Sequence, residues 1–276
     1  MKIFAQYIDG QSVANKLSKF SHLDVSIFHQ VLPTSMDDLS KFNVIVLVEP
    51  DEYFGLGTWV LNNNMLFNKI FTWDDKILNK CKQAEFQYFG NTTFILEQYN
   101  KIYKKEFKIA HLCGNLLKSY NQGMRHEILS RENEINVPTK FYKSIGTVNN
   151  TYKDDEDRRN GKEEVFSDSM FGIAIENFSH RGYFSEKIID CFLLKTIPIY
   201  NGCSNIGDFF NTKGIIKFDN VDDFIYISNN LTDRDYYSRI EAIEDNYQKA
   251  LKYVSYEKNV INSIIQYLTQ LSNESL

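Results

Sequence analysis

The sequence predicts an α/β protein, and three observations carry that prediction. Apolar runs of strand length alternate with longer amphipathic stretches almost from end to end, as happens when helices cover both faces of a parallel sheet. The 276 residues are 43% hydrophobic and 24% charged, enough apolar material for a large core and too much for a disordered polymer. Long polar interruptions are confined to the neighbourhood of Pro138 and to residues 146–161, in a chain with only four prolines.

The elements follow in order. Ile3 to Ile8, Val25 to Val31, Phe42 to Val48 and Lys69 to Thr72 read as strands, with helical segments such as Gln11 to Phe20 and Asp74 to Lys82 between them. Together they form a first half-sheet. A second series runs through Phe107 to Leu112, Phe171 to Ile175, Ile197 to Tyr200 and Gly214 to Phe218, separated by helices near Gln122 to Glu132 and Ser185 to Leu194. From Asp233 to Leu271 the pattern is helical. Tyr247, Leu251 and Val254 form one stripe there, and Val260, Ile264, Tyr267 and Leu271 another.

Composition excludes several function classes. Lys plus Arg is 31 against 36 for Asp plus Glu, and the net charge of −5 gives no general reason to hold nucleic acid. The apolar run Val44 to Val48 falls far short of the roughly 20 residues a membrane-spanning helix needs, and Asp9 interrupts the N-terminus before a secretory-type run develops. A soluble, cytoplasmic protein is expected. Cys81, Cys113, Cys191 and Cys203 are too scattered for a zinc knuckle and too few for a disulfide framework, so they read as free buried thiols. The five histidines show no metal spacing, and there is no Gly-x-Ser-x-Gly elbow and no glycine-rich phosphate fingerprint. The run Asp154 to Asp157 is of a kind that can carry a metal, but Arg158, Arg159 and Lys162 surround it and a solvated loop is the better reading.

The chemistry-bearing segment is Phe171 to Gly202, which spells strand, polar loop, helix, strand. In such a unit, polar groups at the strand's carboxyl end and the amides opening the next helix converge on one crevice that favours an anion. Ser185 is placed to cap the helix, while Ile188, Ile189, Phe192 and Leu193 give it a buried face. Lys187 in the first turn opposes the helix dipole, a conflict that a bound diphosphate would remove. Glu176, Asn177, Tyr183 and Glu186 are of the kinds that read sugar or ribose hydroxyls. Spacing alone leaves it open whether Glu186 is an ordinary acid of a helix first turn and Glu176 a solvated strand end.

This segment resembles the donor-binding signature of the family ten glycosyltransferases, the α-1,3/4-fucosyltransferases and their bacterial and viral relatives. The signature is an apolar strand ending in Glu-Asn (Glu176-Asn177), a Tyr-x-Thr/Ser-Glu-Lys (Tyr183 to Lys187), a helix, and a Pro-Ile/Val-Tyr-x-Gly turn (Pro198 to Gly202), here in that order. Cys203 to Phe210, the pieces Phe71 to Asp74 and Phe89-Gly90, and His111 to Asn115 with Met124 to Glu127 extend the likeness over roughly residues 43 to 220. The resemblance implies a GT-B type fold of two facing Rossmann-like domains with a helical C-terminal tail. The expected spans are an acceptor-side domain 1–104, a nucleotide-sugar donor domain 105–232 and C-terminal helices 233–276.

It also implies an inverting transfer of L-fucose from GDP-fucose to a hydroxyl of a glycan acceptor. Arg125 and Lys187 would hold the donor diphosphate, Tyr183, Asn177, Glu176 and Glu186 would line nucleotide and sugar, and Asn115 is a further diphosphate candidate. Glu49 falls where the family has its catalytic acid, though its setting Val48-Glu49-Pro50 departs from the usual Gly-Glu-Asn, so Asp51 and Glu52 stay open as the base. Glu186 is the second catalytic candidate. A carboxylate with Val44 to Val48 behind it is partly desolvated, which raises its pKa toward the range useful to a base. Cations and helix amides suffice for the diphosphate, so no metal or other cofactor is expected. A transferase using another GDP- or UDP-sugar, and a non-catalytic carbohydrate-binding protein of the same fold, are the alternatives.

Overall fold

The computed structural model describes residues 1–92, 101–143 and 162–274. The chain forms two compact units, one of Met1–Phe89 with Ser255–Leu276 and one of Gly90–Val254.

In the first unit, β1 (Lys2–Ala5), β2 (Val25–His29), β3 (Phe42–Val46), β4 (Lys69–Thr72) and β5 (Ala84–Phe86) pair in sequence order, every pair parallel. Strand side chains alternate between faces. Val25, Ile27, Val44 and Val46 therefore join one core with α1 (Gly10–Lys16) and the C-terminal helix, while Phe28, Ile45 and Leu47 join the other. Helices α2 (Asp51–Phe54), α3 (Leu56–Asn62) and α4 (Asp75–Lys80) follow β3 and β4, with Val60 and Ile77 in the second core.

Two strands end earlier than the apolar runs suggest. Gln30 has a left-handed backbone, φ 54°, which stops β2 at His29. Past Val46, the amides of Val48 and Glu49 bond to the Gln30 side chain instead of extending β3.

The second unit holds β6 (Glu106–Cys113), β7 (Thr139–Lys143), β8 (Ser169–Ile175), β9 (Ile197–Asn201) and β10 (Ile216–Lys217), all parallel, in the order β7-β6-β8-β9-β10. All seven residues of β8 are buried, as expected for a central strand covered on both faces. Helices α5 (Tyr120–Ser130), α6 (Glu186–Leu193), α7 (Val221–Asn230), α8 (Asp233–Tyr237) and α9 (Ile240–Ala250) belong to the same unit. The edge strands β5 and β7 and helices α2, α3 and α7 lay outside the predicted elements. An edge strand such as Thr-Lys-Phe-Tyr-Lys lacks the continuous apolar run that marks a central one.

The helical span 233–276 is divided rather than forming one block. Tyr247 and Ala250 on α9 are buried in the second unit, whereas α10 (Tyr256–Glu274) gives Val260, Ile261, Ile264, Leu268 and Leu271 to the core of the first. The two stripes seen in the sequence therefore serve two different sheets. The compact units likewise part after Phe89 rather than at residue 104.

Candidate active site

In the second unit the chain runs from β6 outward to β7 and then returns past β6 to β8, so the strand order reverses between β6 and β8. At such a switch point the carboxyl ends of neighbouring strands open a crevice that takes ligands. Asn115 lies two residues beyond β6, and Glu176 and Asn177 directly follow β8. The Ser119 hydroxyl caps α5 by accepting from the Gln122 amide at 3.1 Å. Gln122 and Arg125, three residues apart, share one side of that helix. Gln122 Nε2 donates to Asn177 Oδ1 at 3.4 Å, and Arg125 Nη2 donates to the same oxygen at 3.0 Å and also to the Ile175 carbonyl. Arg125 thus sits at the end of β8.

Glu176 is fully buried, not a solvated strand end. Its Oε1 accepts from the Ser185 amide at 2.9 Å, its Oε2 from the Ser185 hydroxyl at 2.5 Å, and Lys187 Nζ stands 3.7 Å from Oε2. Ser185 does occupy the N-cap position of α6, but its hydroxyl makes no cap bond because it is turned to Glu176. Lys187 Nζ donates to Ser185 Oγ at 2.9 Å and pairs with Glu186 at 3.2 Å. Two carboxylates therefore offset the helix dipole at Lys187 without a ligand. Burial pushes the Glu176 carboxyl up, with Glu186 adding to it and Lys187 opposing. Burial acts on Glu186 in the same sense, but Lys187 and Lys162 outweigh it and hold that carboxyl far below its usual range. An acid so strongly ionised cannot donate a proton near neutrality, but it accepts hydrogen bonds well. Tyr183 is completely buried, and Gly182 before it takes a left-handed φ of 73° while donating its amide to Asn205 Oδ1 at 2.8 Å.

Space explains the glycine that ends the signature. A Cβ on Gly202 would lie 2.4 Å from Glu176 Cγ and 2.6 Å from the Tyr200 hydroxyl, so any side chain there displaces Glu176.

Sequence reasoning missed several members of this cluster. Lys162 bonds Asp190 at 2.9 Å and lies 3.7 Å from Glu186, while Thr92 donates to the other Asp190 oxygen at 2.7 Å. Asn121 reaches Ser179 at 3.0 Å. Asp190 had a signal, a charge inside the apolar face of α6; the rest depend on residues distant in sequence.

Glu49 belongs to the first unit and follows the end of β3. Its amide donates to Gln30 Oε1 at 3.1 Å, and the Val48 carbonyl accepts from the Trp73 indole at 2.6 Å. Burial, and next the Glu49 charge, raise the pKa values of Tyr7 and Tyr256. Asp51 is engaged elsewhere, accepting from the Thr58 amide at 2.9 Å and from its hydroxyl. Glu52 is exposed in the first turn of α2.

All four cysteines are free and buried. Among the described residues no cluster of three or more His, Cys, Asp and Glu is placed to hold a metal, and no helix is long and apolar enough to cross a membrane. The Asp154 to Asp157 run lies outside the described residues.

No protein-family profile matches the chain. Over 63 residues it is 41% identical to an α-(1,3)-fucosyltransferase of Helicobacter pylori, a stretch that makes up 23% of this chain and 13% of that relative. A crystal structure of an α1,3-fucosyltransferase aligns with 98% of the chain and 90% of its own at a TM-score of 0.57 and 17% identity. The chain has the GT-B fold. A second α1,3-fucosyltransferase structure, determined with GDP-fucose, covers 96% of this GT-B chain and 89% of its own, with a TM-score of 0.52 and 17% identity. The likeness to the family ten fucosyltransferases is thus present in sequence over a short segment and in fold over nearly the whole length.

Proposed function

We propose that this protein is a cytoplasmic, inverting glycosyltransferase that moves L-fucose from GDP-fucose to a hydroxyl of a glycan acceptor. One observation carries the reading. Arg125 and Lys187 are tethered to consecutive residues, Asn177 and Glu176, at the strand-order reversal of the second unit, where an open parallel sheet takes its ligand. The short identity with a fucosyltransferase and the fold shared with one that binds GDP-fucose support the choice of donor. Four buried thiols suit a reducing compartment.

In this reading the acceptor hydroxyl gives its proton to the Glu49 carboxylate. Its oxygen attacks the anomeric carbon from the face opposite the leaving group, the bond to the diphosphate oxygen breaks, and the negative charge passes to the departing nucleotide. Lys187 stabilises that charge as a point cation and Arg125 as a planar fork, for which a guanidinium has five N–H donors. Glu186, held ionised, accepts hydrogen bonds from donor hydroxyls, and Asn115 and Asn177 complete the wall. Glu49 is preferred to Asp51 because the Asp51 carboxylate is occupied by Thr58. No metal enters the mechanism.

The test is calorimetry with GDP and UDP, followed by mass spectrometry of products from GDP-fucose and a mixed glycan acceptor array. GDP is expected to bind and fucosylated product to form, undiminished by EDTA. Lys187→Ala should weaken GDP binding by about tenfold to a hundredfold, the loss of one or two charge-assisted bonds, and Glu49→Gln should lower transfer to a still measurable rate, by roughly a hundredfold to a thousandfold, the share of a general base, while leaving GDP binding intact. Binding of UDP without GDP would move the assignment to another donor. Binding without transfer would leave a carbohydrate-binding protein, and loss in EDTA restored by manganese would reject the metal-free mechanism.

A further inference from the structure

We infer that Gln30 is a positioning residue for Glu49, an inference that rests on the role just given to Glu49. Three features of Gln30 converge. Its backbone is left-handed, φ 54°, a conformation that an L residue with a long side chain rarely adopts and that glycine takes freely. Its side chain is 1% exposed, and Oε1 accepts from two successive amides, Val48 at 2.6 Å and Glu49 at 3.1 Å. Those two donors fix the amide's orientation. Nε2 is thereby turned away from them, and it is buried without a hydrogen-bond partner among the described residues.

The site of this grip matters. The β3 ladder ends at Val46, and the next three residues carry the chain to Glu49. Leu47 is held by the Phe71 carbonyl at 2.9 Å and Val48 by the Trp73 indole at 2.6 Å. The Gln30 amide is the last clamp before the carboxylate. A clip needed only for stability is served by an acceptor alone and gains nothing from a strained backbone or a buried, unsatisfied donor. Strain and unsatisfied polar groups persist where the surroundings hold a functional geometry. Gln30 fixes where the Glu49 backbone leaves the sheet, and with it the approach of the carboxylate to an acceptor hydroxyl.

The experiment uses four variants of the full chain: Gln30→Gly, Gln30→Glu, Glu49→Gln and the double Gln30→Gly/Glu49→Gln. Glycine suits the left-handed backbone, so Gln30→Gly keeps the fold while removing the clamp, and thermal melting confirms that it is folded. Its kcat is expected to fall about tenfold or more, with the donor KM unchanged, and to show no further fall in the Glu49→Gln background. In Gln30→Glu one oxygen keeps both backbone bonds and the other brings a negative charge beside the strand end. The acid limb of its pH–rate profile should move up by about one unit. The other titratable groups around Glu49 include Tyr7 after β1, Asp51, Glu52 and Tyr53 on α2, Tyr256 on α10, and His29, whose Nε2 lies 2.8 Å from the Tyr256 hydroxyl with Glu257 nearby. All are common to the variants and the parent. A folded Gln30→Gly with unchanged kcat, or losses that simply add to those of Glu49→Gln, overturns the positioning role. Full activity in Glu49→Gln instead overturns the reading of Glu49 itself, whatever Gln30→Gly does.

Discussion

Glu176 and Glu186 stand ten residues apart in the chain and share Lys187, yet burial and neighbours drive their pKa values in opposite directions. The difference lies in the cations. Glu186 faces both Lys187 and Lys162, whereas Glu176 meets Lys187 at a longer distance inside the core. The sequence makes both residues legible as site members through the Glu-Asn and Ser-Glu-Lys pieces. It cannot say which is buried, because that depends on how tightly Gly202 packs against Glu176. A pH prediction follows for Glu186. Its folded pKa is depressed, so the stability it contributes is fully present above the unfolded carboxyl value and is lost as pH falls through the folded one. Glu186→Gln should therefore melt below the parent at pH 7, and the gap should close as the solution is acidified below about pH 4.5. Denaturant midpoints across that range measure it; a gap that widens on acidification would contradict the assignment.

Among the elements, the central strands were the most legible, since a strand covered on both faces has to be apolar throughout, as β3, β4, β8 and β9 nearly are. Edge strands and short helices were not, because half their residues face water and the periodic signal is diluted. A clamp at the start of β8 and β9 was equally invisible. Lys105 is half-buried there, its Nζ donating to the Ser167 carbonyl at 2.6 Å, the Ser169 carbonyl at 3.2 Å and the Thr196 hydroxyl at 2.9 Å. Burial pushes its pKa down to about 7, Lys108 adds to this, and Cys191 and Asp168 oppose it. Between that value and the ordinary lysine value near 10.5 the native state has released a proton that the unfolded chain still binds. Stability should therefore rise across this interval relative to Lys105→Met, which has nothing to titrate. Urea midpoints at pH 7 and pH 9.5 read the difference, and parallel behaviour of the two proteins would refute it.

At the scale of the whole molecule, the sequence shows two strand–helix series and a helical end, but not the ownership of that end. Helical periodicity says that a stripe is buried; it does not say against which sheet. Val260, Ile261, Ile264, Leu268 and Leu271 complete the core around β2 and β3, far away in the chain. At roughly 1.5–3 kcal/mol for each buried side chain, their removal amounts to on the order of 10 kcal/mol, comparable to the entire stability of a typical domain. Deleting residues 255–276 is accordingly expected to unfold the first unit while the second stays folded, seen as selective proteolysis of residues 1–89 with 101–143 and 162–254 protected. Equal protection of both parts would show that α10 is an appendage.

Since the second unit lies in sequence between the two pieces of the first, a nascent chain meets its partners out of order. The ribosome delivers all strands of the first sheet early, but one apolar face of that sheet must wait for α10 to leave the exit tunnel. Throughout that interval the second unit is free to fold on its own. In the cell, the early product to be shielded from aggregation is therefore the half-covered first sheet, and chaperones should bind there until α10 has emerged.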